Sequence, residues 1–250
     1  MHIIISPAKT LDMNPRGIKL KSSLSPFLNE SQSLINNLSK LKSTEIQALM
    51  KVSQKIGDLN ANRFDDWHTP FTINNAKAAI FAFKGDVYSG LNAETLSINQ
   101  IEFAQKNLSI ISGLYGLLRP LDLIQAYRLE MSTKISKIIG ENLYEFWDYK
   151  LTNELNNREQ NWLINLASNE YFKSIKVSKL KAKIIHPIFK DEKNGVLRTV
   201  GIYAKKARGM MCRFVIENNI QNPEELKSFK NEGYSFISSI SSETKWIFTR

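Results

Sequence analysis

The chain has one cysteine, three histidines and no apolar run long enough to span a membrane. A lone thiol, Cys212, excludes an internal disulfide and any Cys-pair redox chemistry. His2, His68 and His186 lie far apart, and no Cys pair, H-E-x-x-H or EF-hand spacing accompanies them, so neither a metal nor a cofactor is expected. No segment reaches the roughly 18 to 20 apolar residues of a bilayer span. The N-terminus runs straight into Ile3-Ile4-Ile5 without a charged n-region before a signal-length apolar stretch, and the expectation is a cytoplasmic protein that makes no membrane contact. Proline and glycine are sparse as well, 7 and 11 in 250 residues, and nowhere gather into a linker. No repeat period is visible. Hydrophobic residues make up 42 % of the chain, ample for a core, and a single domain over residues 1–250 is expected.

What the chain does have is concentrated charge. Residues 173–213 hold twelve Lys and Arg against Asp191 and Glu192, a balance equal to the +10 formal charge of the whole chain. The remainder is therefore neutral. Such a window calls for an anionic partner, with phosphate on nucleic acid or on a smaller ligand as the leading candidate. A solvated, lysine-rich surface is the plain alternative.

Residues 2–6 read as a buried strand that ends at Pro7-Ala8-Lys9-Thr10, followed by a loop rich in Lys, Ser and Pro to about Pro26. Apolar positions from Phe27 to Leu41 fit a helical period, and Thr44 with Gln47 makes a capping box for a second helix. Residues 76–88 begin as helix or strand and end in Phe83-Lys84-Gly85-Asp86, where glycine marks a sharp turn. Residues 108–112 read as an interior strand emptying into a shaped loop, Gly113 to Pro120, and residues 162–167 repeat that pattern before Ser168-Asn169-Glu170. Residues 182–189 and 196–203 flank Asn194-Gly195, the pair that supplies the positive φ angles of a tight hairpin. Strands mixed with helices and at least one hairpin indicate a mixed α/β (α+β-like) fold with a mixed sheet and flanking helices.

Four segments carry candidate chemistry. Wound as a helix, residues 204–218 put Ala207, Met210, Met211, Phe214 and Val215 on one face, Lys205, Lys206 and Arg213 on the other, and Arg208 at the border. Lys205 and Lys206 then sit in the first turn, where an incoming phosphate is favoured, and Gly209 allows a close backbone approach. Residues 112–130 place Arg119 and Arg128, suited to bidentate phosphate contacts, on a glycine-shaped connection that matches no nucleotide motif. Residues 44–67 read as helix, Lys55-Ile56-Gly57-Asp58-Leu59 hairpin, then a short helix with Asn60 and Arg63, which is the layout of a helix-hairpin-helix; an ordinary helical corner is the alternative, since only one glycine is present. Lys9, Lys84, Asp122, Glu130, Ser168 and Glu170 lie at or after strand ends, where open sheets assemble sites. Ser6 and Lys9 have S-x-x-K spacing without its supporting motifs, and no catalytic residue is assigned.

The blocks Ile5-Ser6-Pro7-Ala8-Lys9-Thr10-Leu11, Phe83-Lys84-Gly85-Asp86-Val87-Tyr88, Ser112 through Asp122, Tyr127-Arg128-Leu129-Glu130-Met131, Asn165-Leu166-Ala167-Ser168 and Tyr203 through Gly209 resemble, in the same order, the YaaA family of bacterial peroxide-stress proteins. The resemblance implies one cytoplasmic domain of unusual mixed α/β fold with a basic cleft and a helix-hairpin-helix. It further implies binding to duplex, branched or bubble-containing DNA and a role in limiting oxidative damage. Residue by residue, it implies a DNA- or phosphate-binding cleft made by Lys9, Lys84, Arg119, Arg128, Lys205, Lys206 and Arg208, with Lys55, Gly57, Asn60 and Arg63 in the helix-hairpin-helix. It implies no particular reaction.

The leading expectation is a DNA-binding protein that reads shape and backbone charge without base specificity, protecting DNA or limiting iron-driven damage. The alternative is an enzyme acting on a nucleotide or other phosphorylated small molecule in the same cleft, with Glu130, Asp122 or Glu170 as acid or base. A third reading has the basic window docking an acidic protein.

Overall fold

The computed structural model describes residues 1–15, 20–159 and 161–250. The strands, in chain order, are β1 (His2–Ile5), β2 (Thr10–Leu11), β3 (Lys77–Ala78), β4 (Phe83–Lys84), β5 (Leu108–Ser112), β6 (Gly116–Leu118), β7 (Leu123–Ile124), β8 (Trp162–Leu166), β9 (Lys183–Lys193), β10 (Val196–Arg198), β11 (Ser235–Phe236) and β12 (Lys245–Thr249). The helices are α1 (Leu28–Leu38), α2 (Ser43–Met50), α3 (Gln54–Asp66), α4 (Ala79–Ala82), α5 (Asp86–Leu91), α6 (Ile98–Asn107), α7 (Ser136–Ile139), α8 (Leu143–Trp147), α9 (Lys150–Arg158), α10 (Asn169–Phe172) and α11 (Gly201–Glu217).

An eight-stranded mixed sheet in the order β11-β12-β9-β8-β1-β5-β6 organises the chain, with β10 also paired to β9. Its five central strands, β12, β9, β8, β1 and β5, are parallel, while β6, β10 and β11 pair antiparallel. Burial on both faces explains the adjacent apolar residues of β1 and β5: Ile3, Ile4, Ile5, Ile110 and Ile111 are all fully buried. The chain steps from β1 to β5 on one side and then returns to β8 on the other. This reversal lies between β1 and β8, and in open α/β sheets it opens a crevice beyond the carboxyl ends of the two strands.

Two glycines seat the helix pair that flanks the crevice. A Cβ added at Gly209 of α11 would lie 1.8 Å from the Val87 carbonyl oxygen, and one at Gly90 of α5 would lie 2.1 Å from that of Lys206. The close approach anticipated at Gly209 is therefore made, with α5 as the partner.

The interior strand at residues 108–112 and the strand beginning at Trp162 form as expected. Asn194 and Gly195 close the β9–β10 hairpin with φ of 54° and 73°. Other elements differ. Gly113 to Pro120 is not a loop throughout, because β6 folds back onto β5 and pairs Leu118 with Ile110. The second helix begins at Ser43, and Glu45 rather than Thr44 supplies its cap by accepting the Lys42 N–H at 2.8 Å. Lys55 to Leu59 is no hairpin: these residues are the start of α3, and the turn from α2 falls at residues 51–53, where Lys51 adopts φ 52°. Gly57 serves packing instead, since a Cβ there would meet Gln47 Cβ and the Ser43 carbonyl oxygen at 3.1 Å each. The loop expected after β1 extends across residues 16–19, which lie outside the described residues.

Candidate functional site

A serine stands just beyond each of the two strands at the reversal. Ser6 follows β1 and Ser168 lies two residues past β8; the Ser6 hydroxyl accepts the Ser168 N–H at 2.8 Å and donates to the Ser168 hydroxyl at 3.3 Å. Tyr88 of α5 donates to the Ser6 carbonyl at 3.1 Å. Above this floor is a cavity of about 320 Å³ lined by residues 6–10, 84–88, Glu130, Ser168, Glu170, Tyr171, Lys205 and Arg208. Its ionic lining comprises four cations, Lys9, Lys84, Lys205 and Arg208, and three carboxylates, Asp86, Glu130 and Glu170.

These charges are not equally available. Lys9 is bound to Glu130 at 2.7 Å, and Glu130 also holds Arg128 at 3.0 Å. Lys84 lies 2.6 Å from Glu94, and Glu170 accepts both the N–H and the hydroxyl of Ser132. Among the described residues, neither Lys205 nor Arg208 meets a carboxylate. Arg208 is half-buried, and burial pushes its guanidinium down from its ordinary value. It stays charged all the same, because an arginine cannot be deprotonated in a protein. A desolvated, unpaired cation facing a cavity is the arrangement an anionic ligand completes.

Of the residues singled out in the sequence, the crevice brings together Lys9, Lys84, Lys205 and Arg208. Arg128 stands one step behind through Glu130, with its Nε buried and without an acceptor. Lys206 points elsewhere: it pairs with Glu232, which Arg250 also holds. Because α11 starts at Gly201, Lys205 and Lys206 occupy its second turn, and the helix-terminus argument for them does not apply. Arg119 is fixed on the fully buried carboxylate of Asp122, which also takes the Ser23 hydroxyl at 2.6 Å. That same enclosure removes Asp122 from any acid–base role in the crevice. Lys55, Gly57, Asn60 and Arg63 all lie on α3; Asn60 is buried and donates to the Ile56 carbonyl at 2.7 Å.

Sequence reasoning passed over Tyr171, which follows β8 by five positions and forms an apolar part of the crevice wall with Val87 and Tyr88. Its signal was present: an aromatic residue just past a buried strand, beside Ser168 and Glu170. The 173–213 window, by contrast, is not one patch. Lys183 pairs with Trp162 at the far end of β8, roughly 20 Å along the strands from Ser168 at about 3.3 Å per residue. Lys205 and Arg208 belong to the crevice, and Lys181 and Lys183 to the opposite end of the sheet.

The family described as peroxide stress protein YaaA matches residues 1–239. The chain belongs to this family. Relatives named UPF0246 protein are 52 % identical in Psychromonas ingrahamii and 52 % in Aliivibrio fischeri strain MJ11, and 50 % in Neisseria gonorrhoeae. Each match spans 100 % of this chain and 98 to 99 % of the relative. The family's name supports a role in peroxide stress, and the resemblance seen in the sequence blocks extends along the whole chain. Those blocks include the crevice segments at Ser6–Lys9, Lys84–Tyr88, Glu130, Ser168 and Lys205–Arg208.

Proposed function

We propose that this peroxide stress protein acts by binding DNA, with the crevice cations meeting backbone phosphate and no base being read. The observation that carries the reading is Arg208: a half-buried guanidinium that, like its neighbour Lys205, meets no carboxylate among the described residues, in the lining of the crevice where the sheet reverses direction. Phosphate is the anion that arginine's fork of donors fits best. Lys9 and Lys84 are held by carboxylates at the surface, and a phosphate arriving on Lys205 and Arg208 can recruit them at small cost, since exposed ion pairs are worth about 0 to 1 kcal/mol.

Peroxide chemistry by the protein's own thiol is not part of this reading. Cys212 is fully buried, and burial pushes its thiol up, away from the nucleophilic thiolate. Protection is exerted on the DNA. Fluorescence anisotropy of labelled duplex, junction and single-stranded DNA at physiological salt, with an acidic peptide as control, tests it. DNA binding without peptide binding supports the reading; equal, weak binding to both contradicts it.

A second reading is favoured by the three carboxylates and two serines that share the cavity with the cations. A pure phosphate clamp has little use for them, whereas an enzyme acting on a phosphorylated small molecule would use Glu130 or Glu170 as acid or base beside Ser6. It predicts turnover of such a molecule, lost in Glu170→Gln.

A further inference from the structure

The composition of the crevice limits what can occupy it, and we propose that it takes one nucleoside monophosphate unit: phosphate on Lys205 and Arg208, sugar and base in the cavity. This rests on the phosphate reading above and specifies its ligand. Three features lead to it.

The first is size. About 320 Å³ lies at the lower end of the range of roughly 300 to 1,000 Å³ in which small-ligand sites fall. That space holds a single nucleotide and leaves no room for a stacked base pair. A duplex lying across the mouth would reach the serine floor only by extruding one unit or by presenting an end, as enzymes that work on single bases require.

The second is the charge count. With Lys9 on Glu130 and Lys84 on Glu94, the crevice cations that meet no carboxylate among the described residues are Lys205 and Arg208, a match for one phosphate group. A site for several phosphates would not also carry Asp86, Glu130 and Glu170. Carboxylates repel further anions but accept hydrogen bonds from sugar hydroxyls and exocyclic amines, the donors a nucleoside carries.

The third is the wall. Pro7, Ala8, Val87, Tyr88 and Tyr171 line the same cavity, and Tyr88 and Tyr171 are buried aromatic rings. Inorganic phosphate has no use for an apolar surface, while a base or sugar does. Position agrees with all three, since the carboxyl ends of strands flanking a reversal are where open α/β sheets bind nucleotides.

One nucleotide unit can come from two sources, the free molecule or a unit extruded from DNA, and the test separates them. The full-length chain is titrated calorimetrically with each deoxynucleoside 5′-monophosphate, the matching nucleosides and inorganic phosphate. In parallel, DNA carrying 2-aminopurine at a mismatch or strand end is followed by fluorescence. At least one monophosphate should bind about tenfold or more tighter than both its nucleoside and inorganic phosphate, and Arg208→Gln should weaken it by about ten- to a hundredfold. Lys205→Gln, at an exposed position that leaves the fold intact, should weaken it in the same direction. Where a monophosphate binds in this way, a rise in 2-aminopurine fluorescence abolished by Arg208→Gln identifies extruded DNA as the source, and the same binding without that rise identifies the free molecule. Both results support the assignment. Nucleotides binding no better than inorganic phosphate overturn it. If DNA binds with steep salt dependence while no nucleotide binds and the fluorescence stays unchanged, the inference falls and the DNA reading stands. If neither DNA nor nucleotides bind, both fall.

Discussion

Cys212 and His2 show how burial sets the chemistry of a side chain before any partner does. Cys212 sits on the inward face of α11 at 0 % exposure, beside a buried Met211. Arg208 and Arg213 on the same helix do not activate it, because loss of water disfavours the thiolate more than distant cations favour it. Native protein treated with iodoacetamide, before and after peroxide, should therefore show no labelling difference at Cys212, and full labelling only in denaturant; peroxide-sensitive labelling of the native state would contradict this. His2 is buried too, with its Nε2 2.7 Å from the Ser109 hydroxyl, which also accepts from Arg158. Burial first, then Arg158 and the N-terminal ammonium, lower its pKa from 6.5 to about 3, against an opposing pull from Glu159. Between those values the unfolded chain takes up a proton that the folded chain refuses. Stability from neutral His2 is thus complete above pH 6.5 and falls as pH drops toward 3, by about 1.4 kcal/mol per pH unit. Half-buried His186 acts with the same sign. The lowered carboxyls of Asp12, Glu159 and Glu232 act further down, below their ordinary values near 4. Urea unfolding at pH 7 and pH 5 should show a loss of about 2 kcal/mol, most of it absent in His2→Gln; pH-independent stability over that interval would contradict the account.

The α5–α11 pair links packing to the crevice. α5 contributes Val87 and Tyr88 to the cavity wall, α11 contributes Lys205 and Arg208, and the two meet glycine against backbone. Gly209→Ala must push α5 away from α11 and should cost about 3 kcal/mol or more, with loss of phosphate binding even where the protein remains folded. Gly201→Ala, in the first turn of the same helix with nothing within 4 Å of the added methyl, should be neutral or gain up to about 1 kcal/mol. Thermal unfolding of the two variants checks the pair; equal stabilities would contradict the packing argument. Much of this was legible in the sequence. Buried strands such as β5 announced themselves by adjacent apolar residues, and Asn194-Gly195 announced its turn. The start of α11 did not, because Val200 offers no side-chain cap and Ile202 and Tyr203, 64 % and 48 % exposed, read as the end of a strand. Two-residue strands such as β2 and β4 leave no periodicity to read, and Gly57 marked a helix crossing where a turn was expected.

Across the whole molecule, the excess charge and the site are distinct. Composition located the +10 balance in one window of sequence, but β9 runs that window from one end of the sheet to the other, so only some of its cations reach the crevice. The crevice itself draws on five separated segments, and no local stretch could reveal it. Only strand ends and the family resemblance pointed there. The account's central claim is that anion binding belongs to Lys205 and Arg208 at the crevice, and not to the basic window at large. The direct measurement is the salt dependence of DNA affinity for the parent chain, for Lys205→Gln/Arg208→Gln and for Lys181→Gln/Lys183→Gln, each pair removing two positive charges. The crevice pair should weaken binding and flatten the log–log slope by about one unit, at roughly 0.9 for the one phosphate that the pair holds, while the distal pair leaves both nearly unchanged. Equal losses from the two pairs would contradict the claim and return the basic window to a diffuse electrostatic role.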